Sequence, residues 1–429
     1  MKNIVIGSGP AGRLASLELG KLSEDVILIE KNHIAGTCLN EGCMVICALT
    51  DITKFIEASN KFNSYGFIKS KLDISYEGIV SKINETQEVL RKLNQKENEN
   101  VGNEIIYGKA SVKGDEVEVN GESFKWDNLL IATGARPFIP DIKGSKYGLT
   151  NKDILKIDKV PEKLNIIGGG IIAIEVANIY QTLGSEVNII ARSKALKELD
   201  SDVKEYIFKK LLPEVNLIEG VDVIECRRNK VITCENEELE GVGFFATGRV
   251  PNSEIVEGKL ELNLDKTIKV NEMMESSVGG IYAAGDVTGG YQLTPVARIE
   301  GIVAARNMAG YANKVSYDAV PQTLSLNTEV SFVKNEKLND DVNIAIPGLA
   351  GPGAFWKILS GDTGYTKISF DEKENKIKKI NSISPSSTSD VAYLSYLMRI
   401  NSPLDEFDDF LEIHPSTDAN YKIIKNMWL

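Results

Sequence analysis

The chain has 429 residues, 42% hydrophobic and 26% charged, a length that predicts roughly two to four domains with sizeable cores. Its formal net charge of −12 argues against a nucleic-acid-binding surface. Five scattered cysteines, at positions 38, 43, 47, 226 and 234, exclude a secreted disulfide framework and suit a reducing compartment. Met1 leads straight into an apolar strand, and no apolar run approaches the roughly 18 residues of a membrane span. A cytoplasmic enzyme without signal peptide or membrane helix is expected.

The first unit reads strand, Gly-rich turn, helix, strand. Ile4–Ile6 enters Gly7-Ser8-Gly9-Pro10-Ala11-Gly12, an apolar-periodic helix runs to about Gly20, and Val26–Ile29 ends at Glu30. A lone GxGxxG is weak, but this one follows a strand, opens a helix and has an acid 18 residues past its last Gly. That context is the dinucleotide fingerprint. Gly7 makes the turn, Gly9 lets backbone approach a pyrophosphate, Gly12 packs helix on strand and Glu30 accepts from a ribose hydroxyl. Lys31 beside it and Thr37 further on are candidate cofactor contacts. An ordinary βα turn is the alternative.

Next comes Gly36-Thr37-Cys38-Leu39-Asn40-Glu41-Gly42-Cys43. In one regular helix, cysteines five apart lie roughly 8–9 Å apart, beyond the bridging limit of about 7 Å. A redox pair therefore needs Cys38 in an irregular stretch before a helix and Cys43 at or inside its first turn. Gly36 and Gly42 permit that backbone, and a helix N-terminus would lower a thiolate pKa. Spacing alone leaves two unrelated thiols open. His33, just upstream, reads as a surface residue.

Residues 51–100 read as helical and end in a polar run. A hairpin-like stretch turns at Asn120-Gly121. Leu129–Ile131 is a buried strand running into Ala132-Thr133-Gly134-Ala135-Arg136-Pro137, with Thr133 and Gly134 as candidate cofactor contacts. A second unit then repeats the first: strand Leu164–Ile167, turn Gly168-Gly169-Gly170-Ile171-Ile172-Ala173, strand Val187–Ile190. Its fingerprint is GxGxxA, carried by Gly168, Gly170 and Ala173. Ala191-Arg192 stands where an acid would select a free 2′-hydroxyl. A guanidinium suits a 2′-phosphate, so NADPH is favoured over NADH. The alternative is that Arg192 is a solvated loop charge.

Gly243–Asn252, with Gly248, echoes Ala132–Pro137. Gly280–Asp286 then presents Asp286, after Gly285, where a cofactor hydroxyl could bind. Thr294 and Pro295 read as N-cap and first residue of a helix whose N-terminus would stabilise an anionic reduced flavin. The last stretch, from about 320, alternates like antiparallel strands and ends in helices with His414-Pro415.

Together these residues resemble the pyridine nucleotide–disulfide oxidoreductase family, which includes dihydrolipoamide dehydrogenase, glutathione reductase and mercuric reductase. Both fingerprints, both Ala-Thr-Gly segments, the Gly-Thr-Cys-Leu-Asn-x-Gly-Cys motif, Gly285-Asp286 and the late His-Pro occur in the family's order. The resemblance implies an α/β fold with two Rossmann-like dinucleotide-binding domains and a C-terminal α+β interface domain. FAD-binding segments would span 1–150 and 273–316, the NAD(P)-binding domain 151–272, and the interface domain 317–429. It also implies a homodimer whose subunits share each active site. By position, Cys43 would be the thiol against the flavin, forming a charge-transfer thiolate, and Cys38 the interchange thiol. His414 of the other subunit would be the acid–base. Glu30 and Asp286 would hold FAD, and Arg192 the NADPH 2′-phosphate.

The chain departs from the family at several positions. Cys47 occupies the place of a Lys that pairs with a Glu of the second fingerprint helix, here Glu175. An unpaired Glu175 should tend to be protonated. Cys47 reads as an inert buried cysteine, with a third redox thiol as the alternative. Glu41 is expected to face solvent. The acid that orients the histidine falls on Ala419, so Asp418 would have to stand in. Leu326-Asn327-Thr328-Glu329 replaces an earlier His-Pro. The C-terminus carries no cysteine pair, arguing against a mercuric reductase. Cys226 and Cys234 flank an expected hairpin and look structural. The leading expectation is electron transfer from NADPH through FAD and Cys38–Cys43 to a low-molecular-weight or carrier-bound disulfide. The alternatives are an NAD-dependent dihydrolipoamide dehydrogenase, a flavoprotein with a weak nicotinamide step that serves a protein partner or senses redox state, and a binding protein with a relict site.

Overall fold

A computed structural model describes residues 1–256, 258–348, 351–411, 413–414 and 419–426. The chain opens with β1 (Lys2–Ile6), α1 (Pro10–Lys21), β2 (Asp25–Glu30), the short α2 (Gly36–Asn40), α3 (Cys43–Ser64), α4 (Tyr76–Asn100) and β3 (Glu104–Tyr107). The expected helical run 51–100 is thus two helices, the first starting as early as Cys43. Gly66, at φ +76°, lies past the end of one, and the Ser75 hydroxyl caps the start of the next by accepting from the Gly78 amide.

Three short antiparallel strands follow, β4 (Ser111–Lys113), β5 (Glu116–Val119) and β6 (Glu122–Lys125). The last two are joined by Asn120 and Gly121, both at positive φ, as a two-residue hairpin demands. Then come β7 (Asn128–Ile131) and β8 (Ala135–Pro137).

The second unit comprises β9 (Lys163–Ile167), α5 (Ile171–Thr182), β10 (Glu186–Ala191), α6 (Ser201–Tyr206) and β11 (Asn216–Glu219). A small antiparallel sheet, β12 (Val223–Arg227), β13 (Lys230–Thr233) and β14 (Glu238–Glu240), precedes β15 (Val242–Phe245), β16 (Arg249–Pro251), β17 (Ile281–Ala283) and α7 (Thr294–Met308). Cys226 is buried in β12, as a structural cysteine should be, whereas Cys234 is exposed just past β13. The chain ends with β18 (Gln322–Leu324), β19 (Val330–Lys334), β20 (Val342–Pro347), β21 (Tyr365–Asp371), β22 (Lys376–Ile383), α8 (Ser387–Arg399) and α9 (Ala419–Asn426).

Two parallel sheets carry the Gly-rich turns. The first runs β17-β7-β1-β2-β3, so a strand from residue 281 closes a sheet begun at residue 2. One face buries Val5, Leu28 and Leu130 against α1 and α7; the other buries Ile4, Ile29 and Leu129 against the β4–β6 sheet. The second runs β11-β10-β9-β15. Strands covered on both faces require near-continuous apolar sequences, and Ile4-Val5-Ile6 and Leu164–Ile167 are of that kind. The C-terminal sheet is antiparallel, β18-β19-β22-β21-β20. This is the α/β fold expected, with two Rossmann-like sheets and a C-terminal α+β unit.

One core matters most for the site. Val45, Ile46 and Leu49 of α3 pack with α5 and with Leu324, Leu326 and Val330 at the edge of the C-terminal sheet. Full burial of each such side chain is worth about 1.5–3 kcal/mol. Asn327 locks the same junction: its Oδ1 accepts from Thr53 (2.7 Å) and Asn178 (3.2 Å), and its amide donates to Thr182 (3.0 Å). The residues that replace the family's earlier His-Pro therefore tie α3 to α5.

Candidate functional site

Both Gly-rich turns open into one continuous cleft of about 1980 Å³, lined by Gly9, Cys38, Cys43, Cys47, Glu175 and Arg192 among others. Pockets for a single drug-sized ligand span about 300–1,000 Å³, so the cleft has room for two extended dinucleotides. The first turn is shaped for one. Gly7 sits at φ +101°, and a Cβ there would lie 2.3 Å from the Ala132 carbonyl oxygen; one at Gly12 would lie 1.8 Å from that of Gly7. At Gly9, the N-cap of α1, nothing lies within 4 Å of such a Cβ, and no side chain caps the helix. Its first amides are left to an anion.

Glu30 is buried and already engaged. Its Oε2 accepts from the amide and hydroxyl of Ser8 (2.9 and 2.6 Å), and its Oε1 from the Asn32 amide (2.8 Å). It braces the turn, and the remaining lone pairs of Oε1 could still accept a ribose hydroxyl. Lys31, Thr37, Gly134 and Gly248 line the cleft. The Thr133 hydroxyl is spent elsewhere: it donates to the Asn252 carbonyl (2.7 Å). Asp286, following Gly285 at φ +81°, faces Arg249 at 3.3 Å; burial raises its pKa and the guanidinium opposes that rise. These groups fit an FAD, which Asp286 and Glu30 would hold as acceptors, with its pyrophosphate at the N-terminus of α1.

The second turn repeats the pattern. Gly168 is at φ +123° with its Cβ position 2.2 Å from the Ala246 carbonyl oxygen, Gly170 caps α5 with open space before it, and Ala173 is fully buried. Arg192 is exposed on the cleft wall and forms no ion pair among the described residues, whereas Lys194 is held by Glu219 at 2.7 Å. Arg192 is thus an uncommitted cation beside this turn, as is Lys197.

Cys38 lies within α2, a single helical turn rather than the irregular stretch expected. Cys43 is the first residue of α3, as expected. The break falls at Glu41-Gly42. Gly36 does adopt a left-handed φ of +59° and brings its backbone against Gly9, where a Cβ would come within 2.7 Å of the Gly9 Cα. Gly42 does not, at φ −131°. Its lack of a side chain serves packing instead, since a Cβ would lie 3.0 Å from the Thr37 carbonyl oxygen. Glu41, expected at the surface, is half-buried on the cleft wall.

The two thiols are hydrogen-bonded. That bond holds the Cys38 pKa down at about 6, with Thr294 and the charge of Arg298 helping against burial. Cys43 is pushed far up, first by the same bond and then by burial. The pair therefore loses one proton easily and keeps the other. Thr294 was expected to cap α7, but it is that helix's first residue, with Leu293 at the N-cap and Pro295 following. Its hydroxyl lies 3.8 Å from Cys43 Sγ.

Cys47 is one turn beyond Cys43 on the same face of α3. It is exposed to the cleft, contrary to the expectation of a buried cysteine, because Val45, Ile46 and Leu49 take the core-facing stripe. Partial desolvation by the cleft walls, with Cys43 and Glu175 nearby, raises its pKa. Glu175 accepts from the Ser325 amide at 2.8 Å and has no ion pair among the described residues. Desolvation lifts its pKa to about 8, with the amide opposing and Cys43 adding to the rise. The carboxyl is thus neutral at pH 7 and ionises as pH rises through about 8. Difference infrared spectroscopy should show a protonated-carboxyl stretch that disappears across that pH and is missing in Glu175→Gln. A band lost near pH 4.5 would contradict the assignment.

His33 is exposed and lines the cleft. His414 is also exposed but is not among the cleft residues of its own chain. Asp418, its candidate orienter, lies outside the described residues.

Residues 1–301 match the family described as pyridine nucleotide-disulphide oxidoreductase. The chain is similar to a dihydrolipoyl dehydrogenase of Chlamydia muridarum, 30% identical over 77% of this chain and 75% of the relative. It is similar to a glutathione reductase of Nostoc sp., 27% identical over 97% of both. In fold it resembles the HOCl-induced flavoprotein disulfide reductase RclA from Escherichia coli, with TM-score 0.87, 22% identity and 99% of both chains covered.

Proposed function

The chain belongs to the pyridine nucleotide-disulphide oxidoreductase family, the flavoprotein disulfide oxidoreductases of lipoamide dehydrogenase and glutathione reductase type, and from that premise we propose that it passes electrons from NADPH through FAD and the Cys38–Cys43 pair to a low-molecular-weight or carrier-bound disulfide. One observation carries the reading: two hydrogen-bonded thiols, one of them ready to ionise, sit in the cleft that joins the two dinucleotide turns.

The Cys38 thiolate attacks one sulfur of the substrate, forming a mixed disulfide and releasing one thiolate. Cys43 gives up its proton and attacks Cys38 Sγ, so a Cys38–Cys43 disulfide forms and the second thiolate leaves. Two electrons pass to the substrate and two protons complete the thiols. Histidine is the side chain suited to deliver a proton near neutrality. His414 is assigned that role from a second copy of the chain, since it stands outside its own cleft. Exposed Phe355, Trp356, Ile358 and Leu359, together with Leu411 and Ile413 beside His414, support a homodimer that covers them. A flavin held by Glu30, Asp286 and the N-terminus of α1 would supply the two-electron chemistry that links a nicotinamide to the cysteine disulfide. Among the described residues no helix is long and apolar enough to cross a membrane, and the scattered cysteines support a reducing, cytoplasmic setting.

A second reading rests on Glu175 and Cys47. The cation that would pair with Glu175 is replaced by a thiol, so the nicotinamide step would be weak and a protein partner would supply or take the electrons. Anaerobic titration of FAD-loaded protein separates the two readings. One equivalent of NADPH should bleach the oxidised flavin spectrum or expose two thiols that peptide mapping places at Cys38 and Cys43, with NADH less effective. No spectral change and no new thiols with either donor would exclude the main reading and leave the second.

A further inference from the structure

We propose that Cys47 is a third redox-active thiol: it exchanges with the Cys38–Cys43 disulfide, forms a Cys43–Cys47 bond and sets Cys38 free. The exchange itself stands apart from the reductase reading above, whereas its effect on turnover rests on that reading. Helix geometry places the two sulfurs. Residues four apart on a helix share a face, and their Cα atoms lie about 6 Å apart, inside the disulfide range of about 4.4–6.8 Å. Their Cβ atoms, about 5–6 Å apart, must close by about 1 Å. The start of α3 can supply that movement. Cys43 is its first residue and the N-cap Gly42 offers no side-chain cap, so the turn is held by backbone alone. Cys47 is the fixed partner, because Val45, Ile46 and Leu49 around it are locked in the core.

Cys47 is exposed and lines the same cleft as Cys38, Cys43, Glu175 and Ser325. Ser325 ties the wall behind it: its carbonyl accepts from the Thr50 hydroxyl of α3 at 3.2 Å, and its amide donates to Glu175 of α5 at 2.8 Å. The exchange balances. The Cys47 thiolate attacks Cys43 Sγ, the Cys38–Cys43 bond breaks, the Cys43–Cys47 bond forms and Cys38 leaves as a thiolate. The Cys47 proton passes to solvent, and no electron leaves the three sulfurs. Cys38 is the better leaving group, since the Thr294 hydroxyl and the charge of Arg298 favour its thiolate. Desolvation, then the charges of Cys43, Glu175 and Asp51, raise the Cys47 pKa against the Ser325 hydroxyl. Exchange should therefore quicken as pH rises from about 7 to about 9. With Cys43 bonded to Cys47, a substrate sulfur caught by Cys38 meets no resolving thiol, and turnover stalls until the exchange reverses.

Met44 stands between the two cysteines, and the next methionine is Met273. Cyanogen bromide therefore cuts the chain into 2–44, which holds Cys38 and Cys43, and 45–273, which holds Cys47. It acts in acid, where thiol exchange stops. The FAD-loaded Cys38→Ser variant is treated with diamide, which takes up the two electrons and two protons of a thiol pair, and is cleaved without reductant. Fragments 2–44 and 45–273 should stay joined, and adding Cys47→Ser should part them. Parted fragments in Cys38→Ser overturn the pairing. Joined fragments in the double variant place the link at Cys226 or Cys234 and overturn it as well. The oxidised native protein tests the exchange without relying on that variant. Joined fragments should form at about pH 9, at least about tenfold more slowly at about pH 7, and not at all in Cys47→Ser. Native fragments that part at both pH values overturn the exchange.

Turnover is read separately. Native protein held oxidised at about pH 9, then returned to neutral pH with NADPH and a disulfide it reduces, should show a lag that Cys47→Ser lacks. Joined fragments without a lag leave the exchange standing and overturn the stall. Joined fragments in a protein that reduces no disulfide support the exchange, whereas the reductase reading fails with the stall that rests on it.

Discussion

Cys38→Ser is expected to lower disulfide reduction by at least about 10³-fold, because a serine hydroxyl neither ionises near neutrality nor forms the mixed disulfide. The measurement is steady-state kcat/KM with any disulfide the native protein reduces, alongside its circular dichroism spectrum. A variant that folds normally and keeps a tenth of the native rate would remove Cys38 from its assigned role. The partner thiol gives a sharper readout. Cys38 is held at about 6 chiefly by its bond to Cys43. In the reduced native protein, alkylation of Cys38 should therefore slow as pH falls through about 6, where the thiolate is protonated. In Cys43→Ala that profile should move up toward the ordinary thiol value of about 8.5, despite the help of Arg298. An unmoved midpoint would mean that Arg298 and Thr294, not Cys43, set it.

Arg192→Glu is expected to reduce kcat/KM for NADPH by about 10–150-fold, the worth of a charge-assisted contact of roughly 1.5–3 kcal/mol. NADH, which lacks the 2′-phosphate, should lose far less. Arg192 has no competing carboxylate among the described residues, so the substitution removes a cation without stranding an anion. Equal losses for both donors would make Arg192 a bystander and return the NAD-linked dihydrolipoamide dehydrogenase reading.

The parts of this architecture that the chain writes locally were legible from it. Gly7, Gly12 and Gly168 stand where no Cβ fits, and a fingerprint finds them because a turn of that shape admits little else. Asn120-Gly121 made its hairpin because both residues take positive φ there. Two nearby expectations failed. Cys47 looked buried, but the stripe of Val45, Ile46 and Leu49 turns it to the cleft, and that stripe has meaning only once α5 and β18 are in place. Thr294 looked like a cap, because Thr-Pro is a good local start signal. Leu293 takes the cap position, and the Thr294 hydroxyl meets a thiol 251 residues away in the chain.

The two Ala-Thr-Gly segments show where the division lies. Their likeness is plain in the sequence, but nothing in it says that β8 and β16 pair antiparallel, Arg249 against Pro137, or that Thr133 donates to Asn252. The sequence by itself determined the two nucleotide turns, the positions of the cysteine pair and the order of strands and helices, since backbone freedom, apolar periodicity and turn chemistry act over a few residues. Only the tertiary structure decided that Glu175 is desolvated to about 8, that Cys47 faces the cleft and that the charge of Arg298 reaches Cys38. Desolvation and Coulomb attraction depend on which atoms come within a few ångströms, and that distance is set by the packing of elements far apart in the chain.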